Sequence, residues 1–539
     1  MLASDVAALE SGLPGPPFGK PAGDRSRAPE RRTIAVIDPT TGERIGEAPV
    51  HDAEEVRAAV ARARDAQLAW GALPVRERVR WIARVHRQFV AQADRIVELT
   101  CRETGKSRVE SLNQEVVAIC DMLGWYEKRA ARVLAPRGLD PGVLIHKRAR
   151  KTYQPLGVIG VISPWNSPVN LSAGPALTAL LAGNAVVIKP SECTPLTGML
   201  VGELLRAGLP DPELVQIVTG DGSTGDALAR SGVDKLVFTG SIGTAKRVMA
   251  AAAETLTPLL LELGGKDPMI VCADADLARA AAAAVWGAFT NCGQACISIE
   301  RVYVHASVHD AFVEKVVAET KRVTQGPYTD KKAHIGSISL PRQLEIVMEH
   351  VADAVAKGAR IAIGGERRVD LRGLFVSPTV LTDVAPGMKL LDDETFGPLL
   401  PIVKVASDDE AVTLANQGRY GLSASIFSRD LRRARAIADR LEVGGVVVND
   451  VLLSYGIPSL PFGGAKQSGF GRSHGEEGLT EMSRTKTVVE DRIGLKREFF
   501  WFPYHPLTYE MTKLSLRALF SPSWRIGSPR TPRGAPRAS

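Results

Sequence analysis

Four apolar, strand-like runs follow one another between residues 155 and 240, spaced by about 25 residues and separated by helix-like segments. They are Gly157–Ile162, Ala185–Pro190, Val215–Val218 and Lys235–Phe238, with helical patterns over Leu171–Leu181 and Leu196–Ala207 and after Gly225 and Thr244. Runs apolar at every position suit strands buried on both faces, and strands alternating with helices build parallel sheets through right-handed crossovers. A doubly wound α/β sheet is therefore the expected fold for this region.

Ligands of such sheets bind beyond the carboxyl ends of the strands. Here those ends carry Trp165-Asn166, Lys189-Pro190-Ser191-Glu192 and Thr239-Gly240-Ser241, which should converge on a nucleotide. No GxGxxG follows the first strand. The candidate phosphate loop is instead Phe238-Thr239-Gly240-Ser241-Ile242-Gly243-Thr244, where glycines allow close backbone approach and the next helix offers its first amides.

At 539 residues the chain exceeds a single core, and a second α/β unit is expected after Glu262. Its signals are helical Leu277–Phe289, His309–Thr324 and Gln343–Lys357, with strand-like Arg301–His305, Ile361–Ile363, Thr379–Leu381 and Leu399–Val405. Ahead of the first sheet, Ala53–Ala66, Val75–Ala93 and Gln114–Ala131 read as helices flanking it.

Two motifs carry chemistry. Glu262 sits in Leu261-Glu262-Leu263-Gly264-Gly265-Lys266, and Cys296 closes Asn291-Cys292-Gly293-Gln294-Ala295-Cys296. A thiolate adds to an electrophilic carbon and a carboxylate activates the water that releases the product, so the pair points to covalent catalysis followed by hydrolysis. A glutamate within an apolar, glycine-rich stretch is costly without such a role. Cys292 reads as a structural neighbour.

The six cysteines show no paired spacing, and no CxxC or HExxH occurs, which points to reduced thiols, a cytoplasmic setting and no metal. Residues 1–32, rich in Pro, Gly, Ala and Arg, read as a disordered tail without the apolar core of a signal peptide, and no run is long enough to span a bilayer. The net charge of +7 resides mostly at the other end. From Asp491 on there are nine basic residues against three acidic ones, so the body lacks the field expected of a nucleic-acid binder.

With these residues in view, the chain from about Thr33 to Glu490 resembles the aldehyde dehydrogenase superfamily. Besides the motifs above, the resemblance rests on Glu394-Thr395-Phe396-Gly397-Pro398 and Pro461-Phe462-Gly463-Gly464-Ala465-Lys466-Gln467-Ser468-Gly469. It implies two doubly wound lobes, a Rossmann-like nucleotide-binding domain (33–136 and 154–261) and a catalytic domain (262–465), with a β-strand oligomerisation arm (137–153 and 478–490); the basic, aromatic extension (491–539) goes beyond the usual end of the family. It implies oxidation of an aldehyde to a carboxylic acid with NAD, or NADP as an alternative. Cys296 would form a thiohemiacetal and then a thioester, Glu262 would activate the hydrolytic water, Asn166 and the Cys296 amide would hold the oxyanion, and Lys189 would complete the catalytic set. The cofactor would lie against Ile162, Trp165, Lys189, Glu192, Gly222, Ser241, Thr244, Leu263, Glu394 and Phe396. Lys189 and Glu192 would grip the adenosine ribose, and a carboxylate there favours NAD. Ala245 departs from the pattern, standing where many relatives have glycine, which leaves the pyrophosphate contacts open.

The run Cys296–Val304 resembles a branch containing succinate-semialdehyde dehydrogenases, so that substrate is carried beside other aliphatic aldehydes. Ser167, Val169, Asn170 and Gly174 include no aromatic residue and give no cage for a quaternary amine. The family implies a homodimer or homotetramer. The run Phe499–Tyr504 and the amphipathic stretch Leu507–Phe520 suit packing on the body or a second subunit, or peripheral contact with an anionic bilayer. A catalytically silent protein on the same fold and a coenzyme A-acylating enzyme are the competing readings, and Glu262 argues for water over coenzyme A.

Overall fold

The computed structural model describes residues 32–520. The tail expected at the amino terminus lies outside the described residues, apart from Arg32. The chain divides into two units. One comprises residues up to Ala135 together with Tyr153–Arg484, the other Pro136–Thr152 together with residues from Thr485 on.

The first unit holds two α/β sheets. In the nucleotide-type sheet the strands lie in the order Gly469–Phe470, Leu259–Leu263, Lys235–Gly240, Val158–Ile162, Ala185–Lys189, Val215–Ile217, all parallel except the first. Val158–Ile162 is central, and the chain leaves it first toward Ala185–Lys189 and later toward Lys235–Gly240. The carboxyl end of this strand, at Ile162, is therefore the switch point where a crevice opens. Helix Ala53–Ala72 packs on the sheet, Val75–Ala91 and Ala118–Val133 pack on the helix Asn170–Ala182 that flanks it, and together they bury Trp70, Phe89 and Tyr126 in one core. Trp70 donates its indole N–H to the Leu180 carbonyl at 2.9 Å, so a buried polar group is satisfied where this helix meets the helix Asn170–Ala182.

The second sheet has seven strands, in the order Arg360–Ile363, Thr379–Thr382, Leu399–Val405, Ile299–His305, Asp267–Val271, Ser423–Phe427, Gly445–Val448, with only the first pair antiparallel. Four of these are the strands expected. Asp267–Val271, Ser423–Phe427 and Gly445–Val448 gave no sequence signal, because buried strands lack alternation and these carry Asp, Ser and Gly. The hairpin Thr33–Ile37 with Arg44–Pro49 was likewise not anticipated.

Gly469–Phe470 matters most for the site. After completing the second sheet the chain returns and pairs Gly469 with Glu262. Gly469 sits at φ +115°, and a Cβ there would collide with the Leu261 carbonyl, so glycine is required. This return delivers Ser473 and His474 beside Glu262.

In the second unit, Ser483–Asp491, Lys147–Pro155 and Arg137–Leu139 form a three-stranded sheet. Residues 478–481, expected in the arm, instead end the helix Gly475–Glu481. Lys147 pairs with Glu498 and, at 3.3 Å, with Asp491, fastening the extension to this sheet. The helix Thr508–Phe520 forms where the amphipathic pattern places it and buries none of its residues.

Candidate active site

The helix Leu277–Phe289 ends in a turn whose Asn291, Cys292 and Gly293 all have positive φ, +51°, +55° and +73°. Two non-glycine residues in the left-handed region store strain of order 1–3 kcal/mol each and persist only where surroundings impose it. Here they do. Glu110 accepts the Asn291 amide at 2.5 Å and the Thr290 hydroxyl at 3.1 Å, and the Asn291 side chain donates to the carbonyls of Asn166 and Gln294 at 3.1 and 3.0 Å. The turn sends its two cysteines apart. Cys292 is fully buried in the core of the second sheet, as its structural reading implies, whereas Cys296 is partly exposed.

Cys296 lines two cavities. The larger, about 250 Å³, also meets Asn166, Leu171, Trp286 and Ile297. The smaller, about 30 Å³, also meets Glu262, Ser473 and His474. The Asn166 amide gives one proton to the Gln294 carbonyl at 3.1 Å, leaving its second donor beside the sulfur-lined cavity. Gly265 packs so tightly on this loop that a Cβ would strike the Cys296 carbonyl oxygen, which joins the glutamate strand to the cysteine loop.

Glu262 is buried, with one oxygen accepting from Ser473 Oγ at 3.0 Å and the other, Oε2, without a partner. Burial pushes its carboxyl up to about 8, against the opposing pull of Ser473 and Arg472. Burial also pushes the Cys296 thiol up, reinforced by the carboxyls of Asp267, Glu262 and Glu394. A protonated thiol thus shares a cavity with a carboxyl that titrates close to neutrality, which suits general base chemistry. His474, pushed down to about 4 by burial, is neutral there, and its Nδ1 has no partner. Ser473 and His474 carried no sequence signal beyond following the Pro461–Gly469 motif, because only the returning strand brings them to Glu262.

At the other strand ends, Ile162 and Leu263 are buried, and Trp165 stands edge-on to Phe396 with ring centroids 5.5 Å apart. The Lys189 ammonium lies 3.2 Å from Glu192. Lys189 lines neither cavity that Cys296 lines. Ser241 caps the helix Ile242–Ala253, accepting the Thr244 amide at 3.3 Å, and is exposed with Gly243. A Cβ at Gly243, or at Gly222 on the neighbouring helix Gly222–Ala229, would meet open space, and Ala245 faces inward, so the phosphate-sized approach is left to Gly243. Glu394 accepts the Gly265 amide at 3.1 Å. Its loop is held by Glu300, which accepts the amides of Thr395 and Phe396 at 2.8 Å each and pairs with the buried Lys266 at 2.5 Å. Exposed helix amides, an open glycine, an aromatic slot and two carboxylates for ribose hydroxyls fit a dinucleotide.

A profile described as the Aldehyde dehydrogenase family matches residues 26–488. The chain belongs to the aldehyde dehydrogenase family. As a member it is an NAD(P)-dependent aldehyde oxidoreductase, and the doubly wound lobes expected from the sequence are those of its relatives. It is 43% identical over 484 residues to the 4,4'-diapolycopene aldehyde oxidase of Methylomonas sp, covering 89% of this chain and 90% of that protein. It is 41% identical to a Mycobacterium ulcerans protein named as a succinate-semialdehyde dehydrogenase of the NADP(+) type, covering 86% and 89%. The crystal structure of an NAD-dependent aldehyde dehydrogenase from Sinorhizobium meliloti superposes with a TM-score of 0.83 at 33% identity, covering 87% of this chain and 93% of that one.

Proposed function

We propose that this aldehyde dehydrogenase converts an aliphatic aldehyde to its carboxylic acid through a thioester on Cys296. The observation that carries the reading is that Cys296 stands at the junction of two cavities, one sized for a substrate and one for water. The sulfur adds to the carbonyl carbon from the larger cavity as its proton leaves toward Glu262. The free N–H of Asn166 and the amide of Cys296 stabilise the resulting oxyanion. When bound, NAD(P)+ supplies a hydride acceptor, and loss of hydride from the adduct leaves a thioester. About 30 Å³ holds a water, and the unpartnered Glu262 Oε2 and His474 Nδ1 offer it two polar contacts. After passing the thiol proton to solvent, Glu262 takes a proton from that water as it adds to the thioester, and the Cys296 thiolate departs with the acid released.

Glu192 beside the ribose position supports NAD over NADP, since a 2′-phosphate would meet a carboxylate. Reduced cofactor formed from pentanal, lost in Cys296→Ala and unchanged in yield by coenzyme A, tests the reading. Retained turnover in Cys296→Ala would refute it.

The three-stranded sheet of the second unit supports assembly into a homodimer or homotetramer, measurable by sedimentation. Among the described residues no helix is long and apolar enough to cross a membrane, and a cytoplasmic location is part of this proposal. Phe499, Trp501, Phe502, Met511 and Leu514 are all more than half exposed beside Lys496, Arg497, Lys513 and Arg517. That pairing of apolar bulk with positive charge supports peripheral contact with an anionic bilayer. Equal sedimentation with phosphatidylserine vesicles by the full chain and by a chain ending at Asp491 would remove the membrane contact. A truncation that instead dissociates the oligomer assigns the surface to a second copy.

A further inference from the structure

The cavity of about 250 Å³ above Cys296 has a definite chemistry. Its walls include Ala118, Leu171, Ile297, Leu452, Leu453 and, at an exposed position, Trp286. Among the described residues that line it there is no Lys, Arg, His, Asp or Glu. Several of the polar side chains in the wall are engaged by the protein, while Asn166 keeps the N–H assigned above to the oxyanion. Gln114 donates to Thr290 Oγ1 at 2.9 Å, and Asn170 donates to the Gln114 carbonyl at 3.2 Å. A buried ammonium does stand behind the wall, Lys106, which reaches Ser167 Oγ at 3.3 Å. It is already paired with Glu115, both side chains being fully buried, so it presents no net charge to a ligand.

We infer that the substrate is an elongated apolar aldehyde, and that a substrate carrying a carboxylate, succinate semialdehyde included, is disfavoured. The inference rests on the cysteine-dependent oxidation proposed above and adds the class of molecule it acts on. A carboxylate in this cavity would lose its hydration without gaining a cation, whereas each methylene it shelters is drawn from water at about 0.8 kcal/mol, roughly fourfold in binding. The identity to an oxidase named for a diapolycopene aldehyde agrees with the cavity, and the identity to proteins named for succinate semialdehyde does not. The choice of substrate follows these wall residues.

The test is kcat/KM of the full-length enzyme, with NAD and NADP separately, for butanal, pentanal, octanal, decanal and succinate semialdehyde. The expected result is a rise of about threefold to fourfold per methylene until the cavity is filled, with succinate semialdehyde about a hundredfold below pentanal, which matches it in length. Trp286→Arg, a change at an exposed position, should narrow the gap between succinate semialdehyde and pentanal and lower the rate with decanal. Succinate semialdehyde turned over as well as pentanal or better overturns the inference and leaves the dehydrogenase reading standing. Inactivity toward every aldehyde removes that reading, and the inference with it.

Discussion

Removing the Ser473 hydroxyl tests how Glu262 is tuned. Ser473 Oγ donates to one carboxylate oxygen at 3.0 Å, and Glu262 otherwise has only the more distant charge of Arg472 to favour its ionised form. A hydrogen bond to a charged group contributes about 1.5–3 kcal/mol, and 1.36 kcal/mol corresponds to one pH unit. Ser473→Ala should therefore carry the carboxyl from about 8 to roughly 9–10. The base works when ionised, so activity lies above its pKa and falls as pH drops. At about pH 7.5 roughly a quarter of the native carboxyl is ionised against about 0.3–3% in the variant, a loss of about eightfold to eightyfold. At about pH 10 the two should agree to within about twofold. The assay is single-turnover decay of the acyl-enzyme across the pH range, with Ser473→Thr, which keeps the hydroxyl, restoring the native profile. An acid limb with the same midpoint in Ser473→Ala and native enzyme would refute the argument.

Other consequences are independent of that titration. Asn166→Ala should lower kcat by about 10²–10³ with little change in cofactor binding, since one oxyanion donor is removed; stopped-flow formation of reduced cofactor measures it. Glu115→Ala leaves the Lys106 ammonium buried alone and strips the Val169 and Asn170 amides of their acceptor, so urea unfolding should show a loss of about 3–5 kcal/mol, most of it recovered by adding Lys106→Met.

Much of this protein was legible from local pattern. The first four strands of the nucleotide-type sheet, the helices between them and the helix leading to Cys296 follow from runs of apolar residues and their period, because burial on both faces of a parallel sheet leaves its mark on every residue. The proposed nucleophile and base stand out for a different reason: a cysteine closing the motif Asn291–Cys296 and a glutamate in an apolar, glycine-rich stretch are hard to explain otherwise. Residues acting through partners distant in the chain were not legible. Glu110, which holds the turn, and Ser473, which meets Glu262, lie outside every motif named above. The strands Asp267–Val271 and Ser423–Phe427 were hidden because they carry polar residues in buried positions, where Asp267 accepts the Ser423 amide at 3.1 Å across elements far apart in the chain.

By itself, then, the chain of residues determined the layered α/β architecture and named the candidate reacting groups, since both depend on periodicity and on side chains that have no cheaper explanation. Tertiary structure alone decided where Cys296 opens, which of its two cavities is apolar, and that Ser473 returns to the carboxylate of Glu262. Those outcomes depend on elements separated by as much as the length of a domain, and no local preference encodes the distance between them.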